Sequence, residues 1–290
     1  MSNGSSIILP LGDFSDRVAF EALPVIEAAS LPILSFSGDR PKLDRSTVFL
    51  RIEDECFLLT CAHELEKRLK NSVPLAISLG YCEEPFLLLK DEIFYGTESN
   101  ARDVAAIHLA PATVQRLMAA SKTPIEVADV LRGQPRPGLF LIFGYPQEWF
   151  SFGPGELNHS ALPYLANFFP PSNSLIADLE SDKKYGMPFR PELHGLFTMS
   201  SQGIRTRDGV SVPLPNYNGM KGLSGCGIWR LCDDNFDAMQ NWNVAQCKLA
   251  AIEHRYDASN KFVHASWIGV ALGRIVDEFP HLGPAILAHR

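Results

Sequence analysis

Three side chains of this 290-residue chain have the types needed to act together as base, orienting acid and nucleophile. His63 closes the block Leu59-Thr60-Cys61-Ala62-His63, and Asp103 opens Asp103-Val104-Ala105-Ala106-Ile107. Ser224 sits among glycines in Gly222-Leu223-Ser224-Gly225-Cys226-Gly227. A serine hydroxyl is a poor nucleophile until a base takes its proton. An imidazole can be that base near neutral pH, and a carboxylate can fix its tautomer and stabilise the imidazolium that forms. Singly, each block has an ordinary explanation: a strand-end histidine, a turn or capping aspartate, a loop serine. Together, each at the edge of an apolar run, they predict acyl-transfer chemistry. Unrelated folds carry these three side chains in different chain orders, so the order His, Asp, Ser also discriminates between folds.

Rival readings of the same segments lack a required residue. His63-Glu64-Leu65-Glu66-Lys67 begins as a zinc-protease helix does, but Lys67 stands where a second histidine ligand is needed. Gly222-Leu223-Ser224-Gly225-Cys226 ends in Cys226, unlike the Gly-x-Ser-x-Gly nucleophile turn of α/β-hydrolases. No Cys/His set has metal-ligand spacing, and no glycine-rich nucleotide loop is present. The sequence therefore predicts neither a metal nor an organic cofactor.

Holding three such groups requires elements with well-placed ends. Apolar runs rich in Val, Ile, Leu and Phe cover 46–52, 56–60, 73–79, 86–95, 104–109, 139–143, 193–199, 227–231, 249–252 and 262–265. Gly, Pro, Asn and Asp separate most of them, as short antiparallel strands require. Glu53-Asp54-Glu55 reads as a hairpin turn upstream of His63. Two stretches read as helices, 114–121 and 267–279. In the second, Ile268, Leu272, Ile275 and Phe279 share a face and Pro280 is a stop. Gly133, Pro135 and Pro137 predict a linker within 110–137. The stretch 147–192, rich in proline and aromatic residues, is too long for a hairpin loop and predicts a folded insertion or lid.

In these blocks the chain resembles bacterial trypsin-like serine peptidases of the chymotrypsin fold. Members of that family show Leu-Thr-Ala-Ala-His, Asp-Ile-Ala-Leu-Leu and Gly-x-Ser-Gly-Gly-Pro. Here the same places read Leu-Thr-Cys-Ala-His, Asp-Val-Ala-Ala-Ile and Gly-Leu-Ser-Gly-Cys-Gly. The resemblance implies an all-β protein of two antiparallel six-stranded barrels. Residues 1–125 would form the barrel carrying His63 and Asp103. Residues 126–290 would form the barrel carrying Ser224, with the insertion at 147–192 and the C-terminal helix at 267–279. It further implies Ser224 as nucleophile, His63 as general base and Asp103 as its orienting partner. The N–H groups of Gly222 and Ser224 would then form the oxyanion hole. Asn218 falls at the floor of the primary pocket. Ile252, Glu253 and His254 fall along a wall that pairs with an extended substrate. Glu253 reads either as a determinant favouring a basic residue before the cut or as half of a surface salt bridge, and the neutral Asn218 argues against an Arg/Lys preference. Leu223 stands where secreted digestive relatives have the aspartate that captures a newly cut N-terminus, so activation by that route is not expected.

Composition bounds the partners. Apolar residues make up 46% and charged residues 20%, with a net charge of −7 and no long Lys/Arg cluster, so no nucleic-acid partner is expected. No apolar run approaches the roughly 20 residues that span a bilayer, so no membrane partner is expected either. The first ten residues lack the basic start and apolar stretch of a secretory signal, which predicts a cytoplasmic protein with its six cysteines reduced. Cys56 and Cys61 both precede His63, so the disulfide that flanks this histidine in secreted animal relatives cannot form in the usual way. The expected partner is a protein or peptide substrate, with a regulatory protein as a second. Two readings of function stand: a serine endopeptidase working through an acyl-enzyme, and a catalytically silent or partner-activated protein of the same fold serving as a peptide-binding or signalling/defence effector module.

Overall fold

The computed structural model describes residues 11–38, 40–63, 65–79, 86–89, 92–97, 103–133, 137–153, 156–181, 188–199, 202–204, 211–213, 220–233, 241–257 and 262–288. Eight strands make an N-terminal sheet: β1 (Ser30–Ser37), β2 (Arg40–Ile52), β3 (Glu55–Thr60), β4 (Leu75–Ser78), β5 (Phe86–Leu89), β6 (Ile93–Thr97), β7 (Val104–His108) and β8 (Ile125–Glu126). Their order is β5-β4-β1-β2-β3-β7-β6, with β8 running parallel to β2. A second set of strands closes on itself in the order β12-β13-β18-β17-β16-β9. These are β9 (Gly138–Gly144), β12 (Leu162–Phe169), β13 (His194–Met199), β16 (Gly227–Asp233), β17 (Lys248–Asp257) and β18 (Phe262–Trp267). Two small hairpins, β10–β11 (Ser151–Gly153, Glu156–Asn158) and β14–β15 (Gln202–Ile204, Ser211–Pro213), lie off the barrel.

Period-two alternation explains how the two sheets share a core. Along β9, Phe140 and Ile142 point into the barrel with Tyr164, Phe197 and Ile228. The intervening Leu141 and Phe143 point outward and join Val48, Leu50, Phe57 and Leu59 of the N-terminal sheet. Leu31, Ile33, Phe49 and Leu58 fill that sheet's other face. Strand β3 and the Val48-Phe49-Leu50 part of β2 are therefore buried on both faces, which is why they read as unbroken apolar runs. Helix α5 (Ile268–Glu278) follows the last barrel strand and buries Ile268, Ala271, Leu272 and Ile275 in the shared core.

Most expected strands appear within a few residues of their sequence boundaries, and α5 occupies the predicted C-terminal helix. The expected run 86–95 is two strands, β5 and β6. The helix expected at 114–121 is α3 (Pro111–Ala119). It starts earlier because Pro111 occupies the first turn, where its missing N–H costs nothing. Helices α1 (Leu11–Ala29), α2 (Leu65–Lys70), α4 (Asn173–Ser181) and α6 (Gly283–Ala288) complete the set used below.

Three features correct the sequence reading. Helix α1 was not anticipated, although Val18, Ala22 and Ile26 on one face pack into the shared core. Strand β12 lies inside the stretch 147–192 expected as an insertion. Its alternating Leu162, Tyr164 and Ala166 are buried in the barrel, and Pro163 and the prolines after Phe169 mask it in the sequence. Among the described residues, β10–β11 on one side of β12 and α4 on the other remain as additions. Finally, no pairing among the described residues joins β5 to β6, so the N-terminal sheet is a half-barrel where a closed barrel was expected. Five cysteines, Cys56, Cys61, Cys226, Cys232 and Cys247, are buried free thiols, and Cys82 lies outside the described residues. No helix among the described residues is long and apolar enough to cross a membrane.

Candidate active site

His63 occupies the turn just past β3, and Asp103 immediately precedes the neighbouring β7. The pairing of Thr60 with Ala105 brings the two strand ends side by side. One carboxylate oxygen of Asp103 accepts the Ala62 and His63 backbone N–H groups, both at 2.7 Å. The other faces His63 Nδ1 at 2.6 Å. The histidine is thereby fixed at both its backbone and its ring. Asp103 is 5% exposed, so these bonds operate away from water, where charge-assisted contacts are strong. Burial alone would raise its pKa. The hydrogen bond from His63, with the charges of His63 and His254, overcomes that and holds it at about 2.

The segment under His63 rests on a buried arginine. Arg45 Nη1 donates to the carbonyls of Cys61 at 2.9 Å and His63 at 3.2 Å. Its Nε pairs with Asp44 at 2.8 Å, and Arg68 of α2 reaches the other Asp44 oxygen. Sequence reasoning missed this group. The signal was the polar run Asp44-Arg45-Ser46-Thr47 leading directly into the apolar Val48-Phe49-Leu50, since charges in a buried strand need partners.

Ser224 lies in the loop between Met220 and β16, held by backbone bonds to both sheets. Ser46 N–H donates to the Ser224 carbonyl at 3.0 Å, Gly225 N–H to the Glu253 carbonyl at 2.7 Å, and Cys226 N–H to the Leu223 carbonyl at 2.8 Å. Ser46 Oγ adds a side-chain contact, donating to the Gly222 carbonyl at 2.7 Å while accepting Tyr145 N–H at 2.9 Å. Two glycines are required here. Gly225, at φ +89°, leaves no room for a side chain, since a Cβ would fall 2.0 Å from Thr60 Oγ1. Gly222, at φ +91°, is equally enclosed by the Tyr145 carbonyl. Among the described residues, neither Gly222 N–H nor Ser224 N–H donates a hydrogen bond within the chain.

His63 and Ser224 line one cleft of about 180 Å³, together with Lys221, Glu253, His254 and Arg255. The resting arrangement is not a continuous relay. Among the described residues, Ser224 Oγ makes no hydrogen bond to His63, and His63 Nε2 lies 4.0 Å from Cys61 Sγ. The Cys61 sulfur is the largest influence raising the proton affinity of His63. Burial opposes it and the Asp103 contact reinforces it, leaving the imidazole well above its ordinary range.

The expected specificity residues divide. Asn218 lies outside the described residues. Ile252 is fully buried in the shared core and pairs with both Gly227 and Ser266, so it offers a substrate neither side chain nor backbone edge. Beyond Glu253, no residue of β16 pairs with β17, so the strand edge at His254 is the one left facing the cleft. Among the described residues, Glu253 has no salt bridge, and it is not exposed. It is 3% exposed, and its Oε2 has no hydrogen-bond partner. Burial pushes its carboxyl up to about 8, with the His63 charge opposing and the Asp103 charge reinforcing. His254 is likewise buried, in edge-to-face contact with His194 at 5.6 Å and His264 at 6.3 Å, and burial holds it well below the usual imidazole range. No group of His, Cys, Asp and Glu among the described residues is arranged to hold a metal ion. A larger groove of about 620 Å³ runs along α5, far in the fold from this chemistry, and is lined mainly by apolar residues.

A closed antiparallel six-stranded barrel packed on a curled sheet, with a helix after the last barrel strand, is the chymotrypsin-like two-barrel architecture. No protein-family model matches the chain, and no curated protein matches it in sequence. Among solved structures, the chain is similar to an inactive serine-to-alanine mutant of Rv3671c from M. tuberculosis H37Rv. Identity is 12% over 90% of this chain and 91% of that one, with a TM-score of 0.49. It is also similar to the thermostable serine protease AL20 from an extremophilic microorganism, at 12% identity, 88% and 96% coverage and a TM-score of 0.46. A third is the tobacco etch virus protease complexed with product, at 8% identity, 85% and 75% coverage and a TM-score of 0.42.

Proposed function

We propose that this chain is a serine endopeptidase with its active site formed between residues 1–125 and 126–290. The observation that carries the reading is the grip of Asp103 on both the ring and the backbone of His63, in the cleft that also holds Ser224. In this mechanism Ser224 Oγ attacks the scissile carbonyl carbon as its proton passes to His63 Nε2. Asp103 keeps the proton on Nδ1 and stabilises the imidazolium. The carbonyl oxygen becomes an oxyanion that accepts the Gly222 and Ser224 N–H groups. Collapse breaks the C–N bond, and Nε2 returns the proton to the departing amine. Water then repeats the sequence on the acyl-enzyme, restoring Ser224 and releasing the acid. His63 Nε2 must exchange its approach to Cys61 for one to Ser224, so substrate entry or a partner has to complete the relay.

That missing contact supports a second reading, in which the protein is silent until a protein partner engages it or acts only by gripping peptides. Labelling with a fluorophosphonate separates the two. The endopeptidase reading expects covalent labelling of wild type and none of Ser224→Ala. It also expects loss of about 10⁴-fold or more in turnover for His63→Ala. A folded wild-type protein that takes no label, alone or with peptide, overturns it. The basic-residue preference of trypsin-like enzymes has no support in a cleft lined by Lys221 and Arg255.

A further inference from the structure

Glu253 is a buried acid that the mechanism above does not use. Its position is fixed by backbone bonds on either side: its N–H donates to the Cys226 carbonyl at 2.9 Å, and its carbonyl accepts Gly225 N–H at 2.7 Å. Those two residues immediately follow Ser224, so Glu253 moves with the nucleophile loop. Its side chain is 3% exposed yet lines the cleft with His63 and Ser224, and its Oε2 has no partner. A carboxylate without a partner in such a place is costly, whereas a carboxylic acid is tolerated.

The groups facing it come from every surrounding element. His63 and Asp103 stand on the strand ends opposite, and both act on its charge. Cys226 lies in the nucleophile loop, with Cys61 acting on it from below His63. His254 is its neighbour on β17, and Lys221 and Arg255 line the same cleft. Arg45, under His63, is felt by Asp103. Asp103 is already ionised and fully engaged, so it cannot take up or release a proton in the working range. His63 and Glu253 are left as the two groups of the unit that can.

We propose that Glu253 is a positioning residue and the third member of the His63–Asp103 unit, a buried carboxylic acid whose proton is traded against the proton on His63. In such a coupled pair the two protons belong to the unit rather than to either residue. Each group that ionises changes the field on the other. With Glu253 neutral, His63 feels one carboxylate and releases its proton sooner. With Glu253 ionised, it feels two and holds the proton longer. The charges of Asp103 and Glu253, together with the Cys61 sulfur beside the ring, therefore decide when His63 is a free base. The consequence for Ser224 rests on the serine-endopeptidase reading, but the coupling itself does not.

The test is a nuclear magnetic resonance titration of the His63 ring and the Glu253 carboxyl carbon in wild type and Glu253→Gln. Glutamine is an isostere locked in the neutral state. The expected result is a wild-type Glu253 carboxyl that titrates far above the ordinary carboxylate range. In Glu253→Gln the His63 midpoint should fall by about one pH unit, a roughly tenfold change in proton affinity. Coincident His63 midpoints overturn the proposal. So does a Glu253 carboxyl that titrates like an exposed one, a measurement wild type supplies even if the variant fails to fold. Fluorophosphonate labelling rates over the same pH range should show the same downward shift of the acid limb. Coupling without labelling of either protein would count against the endopeptidase reading and leave the role of Glu253 in place.

Discussion

Ser46 N–H donates to the Ser224 carbonyl at 3.0 Å, so the loop that carries the nucleophile is tied to the strand that runs beneath His63. One residue earlier in that strand, Arg45 holds the His63 carbonyl. The relative placement of base and nucleophile therefore passes through two adjacent residues of β2, with no need for the long connection between the two sheets. Removing the Ser46 hydroxyl leaves the Gly222 carbonyl and the Tyr145 N–H without their buried partner. Ser46→Ala should destabilise by about 1–3 kcal/mol and slow fluorophosphonate labelling by at least about tenfold. Unchanged labelling in a destabilised variant would mean the bond serves folding alone.

Gly225 is the tightest point of the loop. A Cβ there meets Thr60 Oγ1 at 2.0 Å and the Ser46 carbonyl at 2.3 Å, on a backbone already at φ +89°. Gly225→Ala should lower stability by at least about 3 kcal/mol, since backbone strain and overpacking add. Chemical denaturation measures it directly. A loss below about 1 kcal/mol would show that the loop relaxes freely.

Arg45 is 3% exposed and joins Asp44 to the carbonyls of Cys61 and His63. Arg45→Met keeps the volume but leaves the buried Asp44 carboxylate to Arg68 alone. The expected cost is about 3–5 kcal/mol, and Asp44→Asn in the same chain should recover part of it by removing the under-compensated charge. Thermal melts of the single and double variants decide the matter. Strict additivity of the two losses would rule out the coupling.

Two carboxyls give opposite slopes of stability against pH. Asp103 is depressed in the folded state to about 2, below the roughly 3.9 of an unfolded chain, so its contribution is complete above about pH 4. It is lost as pH falls through that interval and amounts to about 2–3 kcal/mol. Glu253 is raised to about 8, so its contribution is complete below the unfolded value of about 4.3 and drains away as pH climbs through 8. Urea unfolding across this range should show both limbs. Asp103→Asn should flatten the acid limb and Glu253→Gln the alkaline one.

The fold class and the candidate triad were legible because each depends on short patterns. Strand runs alternate or stay apolar according to how many faces are buried, and the glycines around Ser224 mark backbone that only glycine adopts. What was not legible depends on distant partners. Nothing near Glu253 in sequence says that its side chain is buried, because the burial comes from His63 and Asp103 on another sheet. Ile252, one residue earlier, points into the shared core for the same alternating reason that turns Glu253 toward the cleft. Strand β12 was hidden by the prolines after its end and by Pro163, which sits where β12 pairs with β9 alone, before its pairing with β13 begins at Ala166. The Asp44–Arg45 pair fell outside the expected strand 46–52, and its burial depends on Cys61, His63 and Arg68 from later in the chain.

The cleft should also sort substrates by charge. Lys221 is exposed at its wall, while Glu253, the one carboxyl lining it among the described residues, is pushed up to about 8 by burial. The lining therefore presents positive charge and little to answer a lysine or arginine side chain. An acidic side chain gains attraction from Lys221 without having to strip water from a buried carboxylate. Fluorogenic peptides that differ only in Glu, Gln or Lys before the scissile bond should be cleaved in that order. The ratio of Glu to Lys should be at least about tenfold at low salt, shrinking as added salt screens the exposed Lys221. Lys221→Ala should narrow the ratio further by slowing capture of the acidic peptide more than of the neutral one. Faster cleavage after lysine would reverse the assignment and point to an acidic pocket floor elsewhere in the cleft.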